Sequence, residues 1–93
     1  MVVWDEAKRQ SNLRKHGLDF VDAHLVYGSP EKVTFRSSRN DEDRLVDLAM
    51  VKMAGTVLVL VYVERGRDVR VVSFRRSSRR ERRIYEQALE EQD

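Results

Sequence analysis

The chain contains no cysteine and only two histidines. Without cysteine it can form neither a disulfide nor a zinc–thiolate site, and it has no thiol nucleophile. The histidines, His16 and His24, are eight residues apart, a spacing that suits no common pair of metal ligands. The sequence also has no P-loop and no two-carboxylate metal motif. We therefore expect no metal site and no other cofactor.

Long apolar segments are also missing. The longest apolar run, residues 57–63, is far too short to span a bilayer, and the N-terminal residues lack the basic and apolar regions of a signal peptide. We expect a cytoplasmic protein that makes no contact with a membrane. With 93 residues, 41% of them hydrophobic and 37% charged, the chain is long enough for one domain, residues 1–93, with a small core.

Arginine, by contrast, is abundant. Arginines outnumber lysines fourteen to four, and nine of them fall between residues 64 and 83, although the whole chain has a formal net charge of only +2. Guanidinium groups bind phosphate in a bidentate manner and stack on bases. A basic segment of this density is typical of a surface that binds nucleic acid.

The order of the periodic segments predicts an α+β fold. A short strand at residues 2–4 precedes a first helix, which Asp5 caps and Gly17 ends, and a second helix is expected over residues 19–27. A polar loop separates the first two of the later strands, which are expected at residues 32–36, 44–52, 57–63 and 68–74. We therefore expect an antiparallel β-sheet with two N-terminal helices and a C-terminal helix packed on it.

The C-terminal helix should begin near Arg79, because Ser78 and Glu81 form a capping-box pattern. Its charges are the reverse of those that stabilise a helix, since arginines crowd the positive end of the helix dipole. A phosphate bound at this end would relieve the repulsion, so we expect an anion to dock there. The buried stripe of the helix is predicted to comprise Ile84, Tyr85, Ala88 and Leu89.

A few side chains could carry out acid–base or anion chemistry. His16 titrates near neutral pH and suits proton transfer, although it could equally satisfy carbonyl groups at the end of its helix. Glu64, next to many cations, is the best carboxylate candidate for a base, unless it only pairs with an arginine across the hairpin. Arg70 stands in an apolar strand, where it needs an anionic partner. Arg75 and Arg76 point to opposite faces, so only one of them should reach the same site.

The turn after Glu64 decides whether this carboxylate shares a face with Arg70. A two- or four-residue loop places Glu64 with Val69, whereas a three-residue loop places it with Arg70. The sequence leaves both arrangements open.

This inventory suffices for cleavage of RNA without a metal, in which the 2′-hydroxyl of the substrate is the nucleophile and the protein supplies a base, an acid and cations. A non-catalytic nucleic-acid-binding module is the alternative, and a subunit that docks an acidic protein is a third reading. A binding module would normally expose several stacking rings. The sequence disfavours it because four rings lie in apolar segments, namely Phe20, Tyr27, Phe35 and Tyr62.

Two groups of residues stand at opposite ends of the chain, with an acidic loop and Arg44 between them. The first comprises Trp4-Asp5, Lys8, Asn12 and Lys15-His16-Gly17, and the second comprises Glu64-Arg65-Gly66, Arg70, Ser73, Arg75 and Arg79-Arg80-Glu81-Arg82. Together they resemble the BrnT toxin family of type II toxin–antitoxin systems. The resemblance implies a RelE-like ribonuclease fold and a toxin that cleaves RNA, inhibits translation and arrests growth. It also implies an antitoxin of the BrnA type with a ribbon-helix-helix domain, through which alone the complex would bind operator DNA.

The resemblance further implies roles for individual residues. The active site would be lined by Lys8, His16, Arg44, Glu64, Arg70 and Arg75. RNA phosphates would be bound by Lys15, Arg65, Arg76, Arg79 and Arg80. The chain departs from the usual family pattern at two positions, with Val63 in place of threonine and Phe74 in place of a small residue. The first departure removes a hydroxyl group from the expected site.

Overall fold

Residues 1–39 and 42–92 are described by the computed structural model of the chain. Within these ranges the elements are β1 (Val2–Val3), α1 (Glu6–His16), a 3-10 turn (Phe20–Asp22), α2 (His24–Tyr27), β2 (Val33–Arg39), β3 (Glu42–Val51), β4 (Thr56–Arg65), β5 (Asp68–Arg76) and α3 (Arg79–Glu91). The predicted α+β class is confirmed. In the same ranges no helix is long and apolar enough to cross a membrane.

The strands form one sheet in the order β1-β5-β4-β3-β2. From β2 to β5 the neighbours are antiparallel, but β1 pairs with β5 in parallel, with Val2 opposite Val69 and Val3 opposite Arg70. The prediction of a purely antiparallel sheet was therefore wrong. Short turns set the antiparallel pairs, whereas the β1–β5 pair joins opposite ends of the chain, and no local signal specifies such a partner.

The prediction of two N-terminal helices was also wrong. The cap of α1 is as expected, since the Asp5 carboxylate accepts from the Ala7 amide at 3.0 Å and Gly17 ends the helix with φ +70°. The second segment is instead a 3-10 turn followed by a single turn of α-helix. Its buried residues, Phe20, Ala23 and Val26, recur every three positions, a spacing that fits a 3-10 helix as well as an α-helix.

The polar loop predicted over residues 37–43 is largely strand. Ser37 pairs with Arg44, Ser38 with Asp43 and Arg39 with Glu42, so the β2–β3 hairpin is longer than its apolar content suggests. The remaining two residues of the predicted loop, Asn40 and Asp41, lie outside the described residues. Tertiary pairing with a neighbouring strand has extended β2 beyond its apolar part.

The sheet has two faces, which we name after the helices that cover them. On the α2 face, the 3-10 turn and α2 pack on a core that includes Leu58, Leu60, Val71 and Phe74. On the α3 face, Tyr85 packs on a smaller core formed by Val46, Leu48, Val57 and Val59. Of the predicted stripe of α3, Tyr85 is buried as expected, but Ile84 is 40% exposed. The core of the α3 face is small, and the part of this face around Arg44 borders an open hollow.

A buried carboxylate that the sequence did not reveal lies on the α2 face. Asp47 is fully buried and accepts hydrogen bonds from Lys32 Nζ at 2.9 Å, Thr34 Oγ1 at 2.6 Å and Tyr62 Oη at 3.1 Å. The Lys32 ammonium also lies 4.3 Å from the centre of the Tyr27 ring. Because the carboxylate has three donors, its burial is compensated, and the network ties β2, β3 and β4 together.

Candidate active site

A hollow of about 270 Å³ opens on the α3 face, beside the N-terminal end of α3. Its floor is apolar and its rim is basic. The floor is formed by Phe35, Val46, Val61 and Val72, and the rim by Ser37, Arg39, Arg44, Ser73, Arg75 and Glu81. Guanidinium groups around an apolar floor suit a ligand that combines a phosphate with a flat ring.

A β-bulge in β5 determines which side chains reach this hollow. Tyr62 of β4 pairs with Val71, but the preceding residue, Val61, pairs with Ser73, so Val72 has no partner across the strand. The extra residue reverses the alternation of side chains from Ser73 onward. Arg70 and Arg75 therefore lie on the same face of the sheet, although their spacing in a regular strand would put them on opposite faces.

The turn between β4 and β5 determines whether Glu64 and Arg70 share a face of the sheet. Arg65 pairs with Asp68, so the loop has two residues, and its Gly66 has φ +59°. Glu64 is opposite Val69 and Arg70 is opposite Val63, which puts Glu64 on the α2 face and Arg70 on the α3 face. The candidate base and the candidate cation are not brought together.

Arg75 is held rigidly by Glu81 of α3. Its Nη1 and Nη2 atoms donate to Glu81 Oε1 and Oε2 at 2.8 and 2.9 Å. The same carboxylate accepts from the Ser78 amide at 2.8 Å, and Ser78 Oγ accepts from the Glu81 amide, which completes the predicted capping box. The Arg75 guanidinium, helped by the Ser78 amide, lowers the pKa of Glu81 to about 2, although burial of the carboxyl group acts in the opposite direction. A protein carboxylate thus already occupies the helix end where we expected an external anion.

Arg44 is held in a similar way by a neighbouring carboxylate. Its Nε donates to Glu42 Oε1 at 3.1 Å, and Arg65 Nη2 reaches Glu42 Oε2 at 3.3 Å. The hydrogen bond from Arg44 is the largest cause of the lowered pKa of Glu42. Arg44 lines the rim of the hollow, whereas Arg65 is exposed at the end of the hairpin.

A second hollow of about 310 Å³ adjoins the first and shares Val72 and Ser73 with it. Its other wall is α1, which contributes Lys8, Ser11, Asn12, Lys15 and His16. The side-chain amide of Asn12 fixes this wall, because it donates to the Phe74 carbonyl at 2.7 Å and accepts from the Phe74 amide at 3.1 Å. Asn12 thereby pairs with β5 as a neighbouring strand would.

His16 lies at the C-terminal end of α1 and lines the second hollow. Partial burial lowers its pKa, and the positive charges of Lys15 and Arg75 lower it further. Its imidazole is therefore neutral near pH 7 and can accept a proton. Lys8 and Lys15 lie on the same wall and can supply positive charge or a proton.

The other residues expected at the site are dispersed. Arg76 points away from Arg75, as expected, and donates through Nη1 to the His16 carbonyl at 3.1 Å. Arg79 and Arg80 are exposed in the first turn of α3. Val63 is buried on the face that carries Arg44, whereas Phe74 is fully buried in the core of the α2 face. The departure at Val63 thus lies on the same face as the basic rim, opposite Arg70, and the one at Phe74 contributes to packing.

Sequence reasoning missed or misjudged several residues of the rim and floor. It passed over Arg39, whose alternation with Phe35 and Ser37 could have placed it on the same face. It assigned Glu81 only to the helix cap. It counted Phe35 among the rings that are not exposed for stacking, which was wrong, since this residue is 38% exposed. Phe35 lies on the edge strand β2 and borders the open hollow.

Within residues 1–39 and 42–92 no group of three histidine, aspartate or glutamate side chains is placed to hold a metal ion. Among curated proteins, none matches the chain. A family model described as "Ribonuclease toxin, BrnT, of type II toxin-antitoxin system" matches residues 4–81, a range that contains both hollows and the Arg75–Glu81 pair. The match extends over most of the 93 residues. The chain therefore belongs to the BrnT family of ribonuclease toxins of type II toxin–antitoxin systems.

Proposed function

We propose that this chain, acting as one domain in the cytoplasm, is an endoribonuclease toxin that cleaves RNA by attack of the substrate's own 2′-hydroxyl and needs no metal. The observation that carries the proposal is the pair of adjoining hollows, which brings a neutral histidine and the Arg44 and Arg75 guanidinium groups to one surface. A RelE-like fold and inhibition of translation are parts of the same proposal.

In this mechanism His16 removes the proton from the 2′-hydroxyl. The 2′-oxygen then bonds to phosphorus, and the bond from phosphorus to the 5′-oxygen breaks. The ammonium group of Lys8 or Lys15 gives its proton to the leaving 5′-oxygen. Arg44 and Arg75 stabilise the negative charge that develops on the phosphorane oxygens. The products are a 2′,3′-cyclic phosphate and a 5′-hydroxyl.

Other cations extend this basic surface. Arg70 shares the α3 face with Arg44, and Arg79 and Arg80 are exposed in the first turn of α3, the helix whose Glu81 lines the hollow. We assign them to RNA phosphates along the flanking strand, where each contact contributes affinity without reading sequence. Glu64 is on the opposite face, so we give it no part in the reaction.

The family implies an antitoxin as well as an RNA substrate. We propose that the antitoxin is of the BrnA type, with a ribbon-helix-helix domain, and that it covers the basic surface with carboxylates. Operator DNA would then bind only through the antitoxin in the complex.

The test is induced expression of the chain in a bacterial host, beside Arg44→Ala, Arg75→Ala and Glu64→Ala, at matched levels of folded protein. The first two variants remove a cation from the site, so their RNA cleavage should be at least 100-fold slower than that of the parent chain. They should also no longer arrest growth. Glu64→Ala is the matched control and should remain toxic. Purified protein should yield cyclic phosphate ends on RNA in the presence of a chelator.

Equal toxicity of the parent chain and Arg75→Ala would exclude the proposed site. Tight RNA binding with no cleavage by the parent chain would instead support the non-catalytic binding module. Cleavage that stops on chelation would contradict the metal-free mechanism.

A further inference from the structure

We propose that the hollow on the α3 face is a subsite for one unpaired nucleotide, whose base stacks on the Phe35 ring while its phosphate contacts the arginine rim. This inference deepens the proposed function, on which it rests, by naming the residue that binds the base.

The exposure of the Phe35 ring is unusual in this chain. Phe35 is the only aromatic residue among the exposed large hydrophobic side chains of residues 1–39 and 42–92, with 38% of its surface accessible. Four of the other rings are at most 2% exposed, namely Phe20, Tyr62, Phe74 and Tyr85. An accessible ring next to guanidinium groups is what stacking on a nucleobase requires.

Strand register places the ring beside phosphate-binding groups. Phe35 and Ser37 lie on one face of β2, and their partners across the strand are Val46 and Arg44. Arg44 is therefore the diagonal neighbour of Phe35 on this face, about 7–8 Å away and within reach of a long side chain. Arg39 continues the same row on β2, and Arg75 closes the far side of the hollow. A base on Phe35 would therefore have its phosphate within reach of two or three guanidinium groups.

Size and chemistry favour a single unpaired nucleotide. The hollow of about 270 Å³ is slightly below the ~300–1,000 Å³ typical of clefts for drug-sized ligands, a size that suits one base. Its floor completes an apolar surface with Val46, Val61 and Val72, which suits the face of a base. An acidic peptide would satisfy the arginines but would leave this apolar floor uncovered. The observations thus favour RNA over a protein segment.

The experiment measures binding separately from cleavage. A short single-stranded RNA with 2′-O-methyl groups cannot be cleaved by 2′-hydroxyl attack, and a 2-aminopurine in it reports stacking through quenched fluorescence. Phe35→Leu keeps apolar volume but removes the ring, and Phe35→Tyr restores the ring. We expect Phe35→Leu to weaken binding about 5- to 100-fold and to abolish quenching, and Phe35→Tyr to retain both. Val21→Ala, an exposed apolar residue of the 3-10 turn, is the control and should bind as the parent does.

Equal affinity and quenching for Phe35→Leu and Phe35→Tyr would overturn the subsite. If the Phe35 variants change the affinity for the antitoxin but not for RNA, the ring belongs to a protein interface and the nucleotide subsite is also overturned. Cleavage of unmodified RNA tests the proposed function independently. If the parent chain cleaves no RNA but the ring dependence of binding holds, the enzyme proposal fails and the nucleotide subsite stands.

Discussion

Individual side chains of the site differ in how firmly the fold holds them. Arg75 is fixed by a bidentate ion pair, and Arg44 by one hydrogen bond to Glu42. Both guanidinium groups are therefore preorganised before a substrate arrives, which is the condition under which electrostatic stabilisation of a transition state is most effective. The carboxylates of Glu42 and Glu81 that bind them also place negative charge next to the two guanidinium groups.

At the residue scale, His16 makes the proposed reaction depend on pH. A general base must be deprotonated, and burial with two nearby cations lowers the pKa of this imidazole below its ordinary value of 6.5. RNA cleavage should rise with pH through a midpoint below 6.5 and then level off. His16→Ala should cleave about 100-fold more slowly and should lack this rise.

The matched control for this prediction is His24→Ala. His24 is exposed on α2, where its Nδ1 lies 3.0 Å from the Val21 carbonyl oxygen, and it borders neither hollow. Its variant should keep the parent rate and pH profile. An unchanged profile in His16→Ala would remove His16 from the mechanism.

At the scale of the elements, the site is built where a helix meets the edge of a sheet. Within residues 1–39 and 42–92, the short β1 is the only strand beside the edge of β5, and α1 lies along the rest of that edge. Asn12 makes this possible by bonding to both the amide and the carbonyl of Phe74. The contact sets the position of the wall that carries Lys8 and His16.

Asn12→Ala should therefore destabilise the chain by about 2–3 kcal/mol, because it leaves two buried backbone groups of Phe74 without partners. Asn12→Asp should be at least as harmful, since a carboxylate cannot donate to the Phe74 carbonyl. Urea unfolding gives the stability, and hydrogen exchange of the Phe74 amide reports the local contact. Gln10→Ala, an exposed change on the same helix, should cost under about 0.5 kcal/mol. A similar small cost for Asn12→Ala would show that Asn12 does not anchor α1.

The elements also differ in how well sequence patterns specify them. The caps of α1 and α3 were correctly predicted, because a capping side chain bonds to a backbone group within three residues of itself. The 3-10 turn was not correctly predicted, because its apolar residues fit more than one helical period. Only packing against the sheet selects the period that is formed. The bulge at Val72 left no trace in the sequence, although it decides which face Ser73 and Arg75 occupy.

For the whole molecule, the Arg75–Glu81 pair is a clamp between the sheet and α3. Arg75 lies on β5 and Glu81 on the first turn of α3, so the clamp links the site to global stability. The folded chain lowers the pKa of Glu81 from 4.5 to about 2. A carboxyl group with a depressed pKa contributes stability that is complete above the unfolded value and is lost as the pH falls toward the folded value.

Glu81→Gln should keep the capping box, because glutamine can also cap a helix, but it removes the ion pair. At pH 7 the variant should be about 1–3 kcal/mol less stable than the parent. Between pH 4.5 and pH 2 the parent should lose this advantage, so the two unfolding free energies should converge. Glu86→Gln removes the more exposed pair with Arg82 on the same helix and should have little effect. Parallel pH curves for the parent and Glu81→Gln would contradict the clamp.

The sequence by itself determined the α+β class, the helix caps, the basic character of the C-terminal half and, through two motifs, the family. These features depend on residue type and on spacing within a few positions, and both are explicit in the chain. Only the tertiary structure decided the face on which each strand residue lies. It put Glu64 and Arg70 on opposite faces, put Arg70 and Arg75 on the same face through the bulge, and exposed Phe35 near Arg44. The physical reason is that strand side chains alternate, so one inserted residue or one loop length moves every later side chain to the other face.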